Sequence, residues 1–323
     1  MEKIEKVDKM NKVDKVDKVD EVSKIDKIEK IDNIFVEGRA VFSLEVFPPK
    51  KDGPIEKIYA ALKELRELNP DFISVTYGAG GNPADSTTVD IASFVQAELG
   101  VPAVAHLTCV NSTRADVGQY LVRLRERGVL NILALRGDVS PEGERKWDFP
   151  YAVDLIRFIR EQDGDFHLSA ACYPEGHVEA PSPAEDLRRL LAKTEAGAGH
   201  LISQLFFDNA IFFDFVRRAR AIGVTARIEA GIMPVLNVRQ IQRMVSLCGA
   251  SIPSALAKIM SRWEHDPQAL RRAGVAYAAA QIADLLANGA EGIHLYTMND
   301  AAVAREIAAL LPARAAKDGG SAR

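Results

Sequence analysis

The stretch SLEVFPPK, Ser43 to Lys50, decides the fold. With Val41 and Phe42 ahead of it, Leu44, Val46 and Phe47 complete an apolar run of strand length, and Pro48 and Pro49 end that run by withholding backbone donors. A strand apolar on both faces is covered on both faces, as in a parallel sheet packed between helices. Glu45 alone breaks the pattern. A carboxylate stripped of water needs a partner or a proton, so this residue is either one half of a structural ion pair or a working acid.

Residues 54–68 next take the spacing of an amphipathic helix, and the couplet of apolar strand and helix then recurs along the chain. Strands are expected near 41–47, 71–77, 102–108, 131–136, 166–173, 200–206, 226–233 and 292–297. Helices are expected near 54–68, 86–99, 113–127, 150–162, 183–196, 209–222, 237–247 and 300–310, with a further Ala- and Leu-rich helical stretch over 252–288. Eight such units predict an α/β protein, a (β/α)8 TIM barrel with additional helices before the eighth strand. A doubly wound sheet would carry a Gly-rich fingerprint after its first strand, and none follows Glu45.

Ahead of the barrel, residues 3–32 repeat a triplet of Lys, apolar residue and acid. An apolar residue every third position turns about 300° per step on a helix, so its stripe never forms one face. The expected layout is a low-complexity, disordered extension over 1–33, a catalytic domain over 34–312 and a flexible tail over 313–323. A length of 323 residues with 47% hydrophobic content supplies a large core, and a net charge of -4 excludes a basic nucleic-acid-binding face. Cys109, Cys172 and Cys248 show no CxxC spacing, which argues against a disulfide framework or structural zinc, and no HExxH or GxSxG motif is present. Without an apolar run of about 18 residues, neither a membrane span nor a standard secretory signal is expected. These readings point to a cytoplasmic protein whose partners are small molecules, with no nucleic acid, membrane or metal involved.

Barrel chemistry takes place at the C-terminal ends of the strands. Polar residues collect there: Glu45 after the first strand, Thr76, Tyr77, Gly78 and Ala79 after the second, His106 and Thr108 on the third. Arg136, Gly137 and Asp138 follow the fourth, Tyr173 and His177 the fifth, Gln204 the sixth, Asn237 the seventh, and Tyr296 and Asn299 the eighth. Singly, each has a structural reading: Tyr77-Gly78 as a turn, Arg136 and Asp138 as a loop salt bridge, His106 as a satisfied core histidine. Contributions from so many strands meet only at the barrel mouth, around one large ligand.

In order, SLEVFPPK, SVTYGAGG, AHLTC, ALRGD, AACYPEGH, SQLFFD, GIMPV and HLYTMN resemble the methylenetetrahydrofolate reductase family, from about residue 41 to residue 310. The resemblance implies a flavoprotein barrel that uses FAD, with NADH or NADPH as reductant, to convert 5,10-methylenetetrahydrofolate to 5-methyltetrahydrofolate by a ping-pong mechanism. It implies a bacterial-type, NADH-preferring homo-oligomer that serves one-carbon metabolism and methionine synthesis. Glu45 matches the general acid. Thr76, Tyr77, Ala79, His106, Arg136, Gly137, Asp138, Ala152, Tyr173, His177, Ala180, Asp186 and Lys193 match flavin contacts, and Asp138, Gln204 and Gln240 match substrate contacts. Four positions depart from the family pattern. Asp300 stands where an Arg would meet the folate tail, Arg189 and Ala192 replace an Asn and an Arg on the adenine side, and Met244 stands where an aromatic would cover the pterin. A flavin-free relative and a catalytically silent folate-binding scaffold are the competing readings. His106, Tyr173, His177 and Lys193 favour the flavin, and Glu45, Asp138 and Gln204 favour catalysis.

Overall fold

The computed structural model describes residues 30–49, 53–77, 86–138, 146–162 and 165–311. A short helix, α1 (Ile31–Ile34), leads into β1 (Val41–Val46), α2 (Ile55–Arg66), β2 (Phe72–Val75), α3 (Thr87–Ala97), β3 (Ala103–Thr108) and α4 (Arg114–Glu126). There follow β4 (Asn131–Leu135), α5 (Ala152–Glu161), β5 (His167–Cys172), α6 (Pro183–Glu195), β6 (His200–Ser203), α7 (Asn209–Ala221) and β7 (Arg227–Ile232). After β7 come α8 (Val238–Cys248), α9 (Ser254–Arg262), α10 (Pro267–Ala287), β8 (Gly292–Tyr296) and α11 (Ala301–Ala309). All eight strands pair in parallel with their sequence neighbours, and β1 closes on β8 with Val41 opposite Gly292. The expected (β/α)8 barrel is therefore the fold observed.

Local chemistry sets the element ends. Ser182 caps α6 by accepting from Glu185 N–H and is followed by Pro183, whose missing donor costs nothing in a first turn. Gly249 ends α8 in the left-handed region at φ 74°. The long helical stretch before β8 divides because Asp266 caps a new helix that opens on Pro267. Inside α10, Gly274 lies against the carbonyl of Val235, where a Cβ would sit 1.8 Å from the oxygen.

The base of the barrel corrects one sequence boundary. Ile31 and Ile34, from the end of the triplet run, are buried against Val41, Phe72, Val104, Leu133 and Ile202. Ile31 N–H donates to Asn131 Oδ1 at 3.2 Å, and Asp32 Oδ2 meets His167 Nδ1 at 2.8 Å. Residues 31–33, expected in the extension, thus belong to the barrel as a plug. Apolar residues three apart suffice for a single helical turn, although the same spacing makes no lasting face over many turns. The remainder of the extension (1–29) and the tail (313–323) lie outside the described residues.

The barrel interior is also more polar than the sequence reading anticipated. Ser43, Ser74, Ser169, His200, Glu229 and His294 are all fully buried, in a layer where branched apolar residues are usual. No helix among the described residues is long and apolar enough to cross a membrane.

Candidate active site

Glu45 and Ser43 alternate along β1 with period two and so share its inward face, Glu45 at the mouth and Ser43 one layer deeper. The Glu45 side chain is 19% exposed. Its carbonyl accepts from Thr297 N–H at 3.3 Å and Thr297 Oγ1 at 2.6 Å, which ties the end of β1 to the segment after β8. Asn299, left-handed at φ 58°, reinforces that tie, accepting from Phe47 N–H at 3.0 Å and donating to Phe47 O at 2.8 Å.

Two imidazoles face the carboxyl. Glu45 Oε2 lies 3.6 Å from His106 Nε2 and 3.5 Å from His294 Nε2. Burial pushes the His106 ring down to about 4; Glu45 opposes that fall and His294 adds to it. His106 is therefore neutral at pH 7, and its ion-pair distance to Glu45 marks a contact between an uncharged ring and a carboxyl. Among the described residues His106 Nε2 makes no hydrogen bond, although it is buried. Tyr296 donates to Ser203 O at 2.8 Å; burial first, then Glu45, holds its phenol far above the ordinary range, so it stays protonated.

Glu45, His106 and Tyr296 line a mouth chamber of about 310 Å³ together with Thr76, Arg136, Gly137, Asp138, Tyr173, His177, Gln204 and Met244. A second chamber of about 310 Å³ opens beside it, lined by Tyr151, Ala152, Glu185, Asp186, Arg189, Ala192 and Lys193. Both are lined by Leu135, Arg136, Ala171, Tyr173 and His177, so they form the two ends of one crevice. Its size is that of a cofactor site.

Charge is distributed unevenly along the crevice. Lys193 Nζ donates to Ala171 O and lies 5.6 Å over the Tyr173 ring, a buried cation whose direct contacts are uncharged. Burial lowers the Lys193 pKa, while Cys172 and Asp186 oppose that fall. Arg136 is gripped by both carboxylate oxygens of Glu179, not by Asp138, so the loop salt bridge that the sequence suggested is made to a different partner. The Tyr173 and His177 rings meet edge to face at 4.7 Å. His177 Nδ1 accepts from Glu179 N–H at 3.1 Å, and its pKa is lowered by burial and then by Arg136, which together leave a neutral ring with its proton on Nε2.

Most of the expected site residues thus meet in one crevice, and three of the described ones do not line it. Tyr77 turns into the core against Tyr120, ring centroids 5.4 Å apart. Gln240 lies in the first turn of α8 with its N–H on the cap Asn237, and Ala180 N–H bonds His177 O; neither lines a chamber. Ala79 is outside the described residues. Of the departures, Asp300 proves to be a helix cap, accepting from Val303 N–H at 3.0 Å at the start of α11. Arg189 packs over Tyr151 at 5.3 Å, while Ala192 leaves the wall beside it short. The sequence reading missed His294, Thr297, Tyr151 and Glu179. For His294 a signal existed: it alternates with Tyr296 on β8 as Ser43 does with Glu45 on β1, and the two pairs are in register.

The family model described as methylenetetrahydrofolate reductase matches residues 28–312. The chain belongs to that family. The "Methylenetetrahydrofolate reductase (NADH) 1" of Arabidopsis thaliana is 36% identical over 278 residues, covering 81% of this chain and 47% of the relative. The chain therefore spans about half the length of this and other plant family members. The "5,10-methylenetetrahydrofolate reductase" of Pectobacterium carotovorum subsp. carotovorum is 34% identical over 279 residues, covering 86% of this chain and 92% of that protein. Among solved structures, an uncharacterized protein from Clostridium thermocellum that binds two copies of 5-methyl-5,6,7,8-tetrahydrofolic acid superposes with a TM-score of 0.61. It is 12% identical, covers 86% of this chain and 96% of its own, and shares the fold.

The crevice residues fit the flavin dinucleotide that the resemblance implies. Lys193, a buried ammonium facing only a carbonyl and a ring among its hydrogen-bond and ring contacts, suits a diphosphate. His106 Nε2, an orphaned polar atom in the wall of the mouth, suits a heteroaromatic ligand with its own donors and acceptors.

Proposed function

We propose that the protein reduces 5,10-methylenetetrahydrofolate to 5-methyltetrahydrofolate with NAD(P)H, preferring NADH, with FAD in the crevice and a ping-pong order of substrates. The observation that carries this reading is the placing of Glu45 at the barrel mouth, between two imidazoles and beside Asp138 and Gln204, in a chain of this family.

Thr76, His106, Arg136, Gly137, Asp138, Ala152, Tyr173, His177, Asp186 and Lys193 would hold the flavin, with Lys193 and Arg136 facing its diphosphate. Bound FAD would supply hydride transfer between nicotinamide and folate. This chain's residues do the rest. The folate methylene bridge opens to an iminium only if nitrogen 10 gains a proton, and Glu45 is the group at the mouth able to deliver it. Asp138 is exposed at the rim, where its carboxylate accepts from pterin nitrogens and steadies the developing cation. Gln204 has an amide that both donates and accepts and so serves either ligand in turn. Met244 covers a ring face with a polarizable side chain. Asp300 is an acid whose carboxyl caps a helix, so this position offers the folate tail no cation. A cytoplasmic homo-oligomer completes this reading, and light scattering on the purified protein tests the assembly.

An anaerobic visible spectrum tests the chemistry. A flavin band bleached by NADH and restored by methylenetetrahydrofolate is expected. A colourless protein that takes up no FAD would instead support the flavin-free relative if NADH loss depends on folate, and the silent scaffold if it does not. Glu45→Gln is expected to keep the bleaching and lose the restoration by at least 100-fold. Equal loss of both steps would reject the role given to Glu45.

A further inference from the structure

Below the mouth, a line of buried polar groups continues from Glu45 into the barrel. His294 Nε2 lies 3.5 Å from Glu45 Oε2 and 3.3 Å from Ser74 Oγ. On the far side of the ring, His294 Nδ1 is 2.6 Å from Ser43 Oγ, which in turn is 3.0 Å from Glu229 Oε1. Glu229 is fully buried on β7. Register explains how its carboxyl reaches Ser43: the residue opposite Glu229 on β8 is Gly292, where a Cβ would sit 2.6 Å from Glu229 Cγ.

The Ser43 hydroxyl has one proton and, besides a long 3.5 Å contact with Ile293 O, two closer side-chain neighbours that want it, so the line has two consistent arrangements. With Glu229 protonated, its O–H donates to Ser43, Ser43 donates to His294 Nδ1, and His294 carries its proton on Nε2, aimed at the Glu45 carboxylate. With Glu229 ionised, Ser43 donates to Glu229, His294 donates from Nδ1 to Ser43, and bare Nε2 accepts from a protonated Glu45. We propose that Glu229 and Glu45 share one proton through Ser43 and His294, so that a carboxyl remote from the substrate sets whether the mouth presents an acid. In the transfer, the Glu229 proton passes to Ser43 as the Ser43 proton passes to His294 Nδ1. The imidazolium then releases its Nε2 proton to Glu45, and the net change is one proton moved and one tautomer exchanged.

Other groups facing the line are compatible with this. His200 Nε2 approaches Glu229 Oε2 to 3.0 Å without the alignment of a hydrogen bond, while its Nδ1 is 2.9 Å from Ser169 Oγ. Burial holds His200 far below its usual pKa, so it offers Glu229 no neutralising charge. Asp71, whose carboxylate pairs with Arg39, adds a distant negative charge, and burial above all raises Glu229 to about 7. At the mouth, Glu45 faces His106 and the protonated Tyr296 as well as His294.

The proposal rests on the acid role given to Glu45, and two measurements separate the claims. In protein carrying carboxyl-¹³C glutamate, the Glu229 resonance is titrated. Replacing Glu45 by Gln is expected to move its midpoint by at least about half a pH unit, and the same replacement in a Ser43→Ala background by less than half as much. No movement, or equal movement in both backgrounds, would overturn the relay, since coupling through space alone ignores Ser43. In stopped flow, Glu229→Gln is expected to shift the pH profile of the folate half-reaction by at least half a unit while that of the NADH half-reaction stays in place. An unshifted folate profile would overturn the proposal. Absence of any folate half-reaction in the wild type would instead refute the proposed function, leaving the shared proton to the resonance titration alone.

Discussion

Replacing Glu229 by Gln should change the pH dependence of stability in a direction opposite to that expected of most acid residues. The folded protein holds Glu229 near 7 against a reference of 4.5, chiefly because burial penalises the charged carboxylate. The folded state therefore binds this proton more tightly than the unfolded chain, and stability falls as pH rises from about 4.5 through about 7. At roughly 1.4 kcal/mol per pKa unit the full effect is about 3.5 kcal/mol, of which about 2.5 kcal/mol falls between pH 5 and pH 8. Glutamine keeps the shape and the contact with Ser43 but has no such proton. Urea unfolding at pH 5 and pH 8 should show the wild type losing about 2.5 kcal/mol more than the variant over that interval. Taking this double difference cancels every shared group whose titration does not respond to Glu229. Parallel curves would mean that Glu229 ionises as easily inside the barrel as outside it, and the reasoning from burial would fail.

His106 acts on the other side of neutrality. Its folded value near 4 lies below the usual 6.5, so the wild type loses about 3 kcal/mol as pH falls from 6.5 to about 4; in His106→Gln, the same titration should be flatter by that amount. Lys193→Met preserves length but removes the buried cation of the second chamber, and equilibrium dialysis should show FAD affinity falling roughly 10- to 100-fold. Unchanged affinity would place the diphosphate elsewhere. Gly274→Ala would stabilise an exposed helix, yet here a Cβ 1.8 Å from Val235 O forces α10 off its seat, and urea unfolding should register a loss of roughly 3 kcal/mol.

The barrel was legible because a strand buried on both faces and a helix buried on one have different periods, and eight couplets leave little choice of closure. Most helix ends fell within two residues of expectation where a cap spoke for them, as at Ser182 and Asn237. Much of the mouth was legible too, since polar side chains at strand ends have few reasons to be there. The interior was harder to read. Ser43, Glu229, His200 and His294 occupy single positions inside apolar strands, and each looks like noise until register sets them side by side. Tyr77 went the other way: its place in a strand-end motif suggested a ligand, but Tyr120 across the helix layer offered its ring a better partner. The plug was hidden by its own repeat, because the Lys30-Ile31-Asp32 triplet reads the same in sequence as Lys24-Ile25-Asp26, and its seat on Asn131 and His167 is set by residues about 100 or more positions away.

That plug places an order on biosynthesis. Ile31 and Ile34 leave the ribosome before any strand, yet their seat includes Ile202 of β6, and β1 cannot close until Gly292 of β8 has emerged. During synthesis the two isoleucines and one edge of β1 must wait uncovered for most of the chain, a long-range closure of the kind that folds slowly and exposes edges. A nascent chain halted after β5 should accordingly be cut by protease near Ile31 and bind holdase chaperones there, and should lose both properties only when β8 clears the exit tunnel.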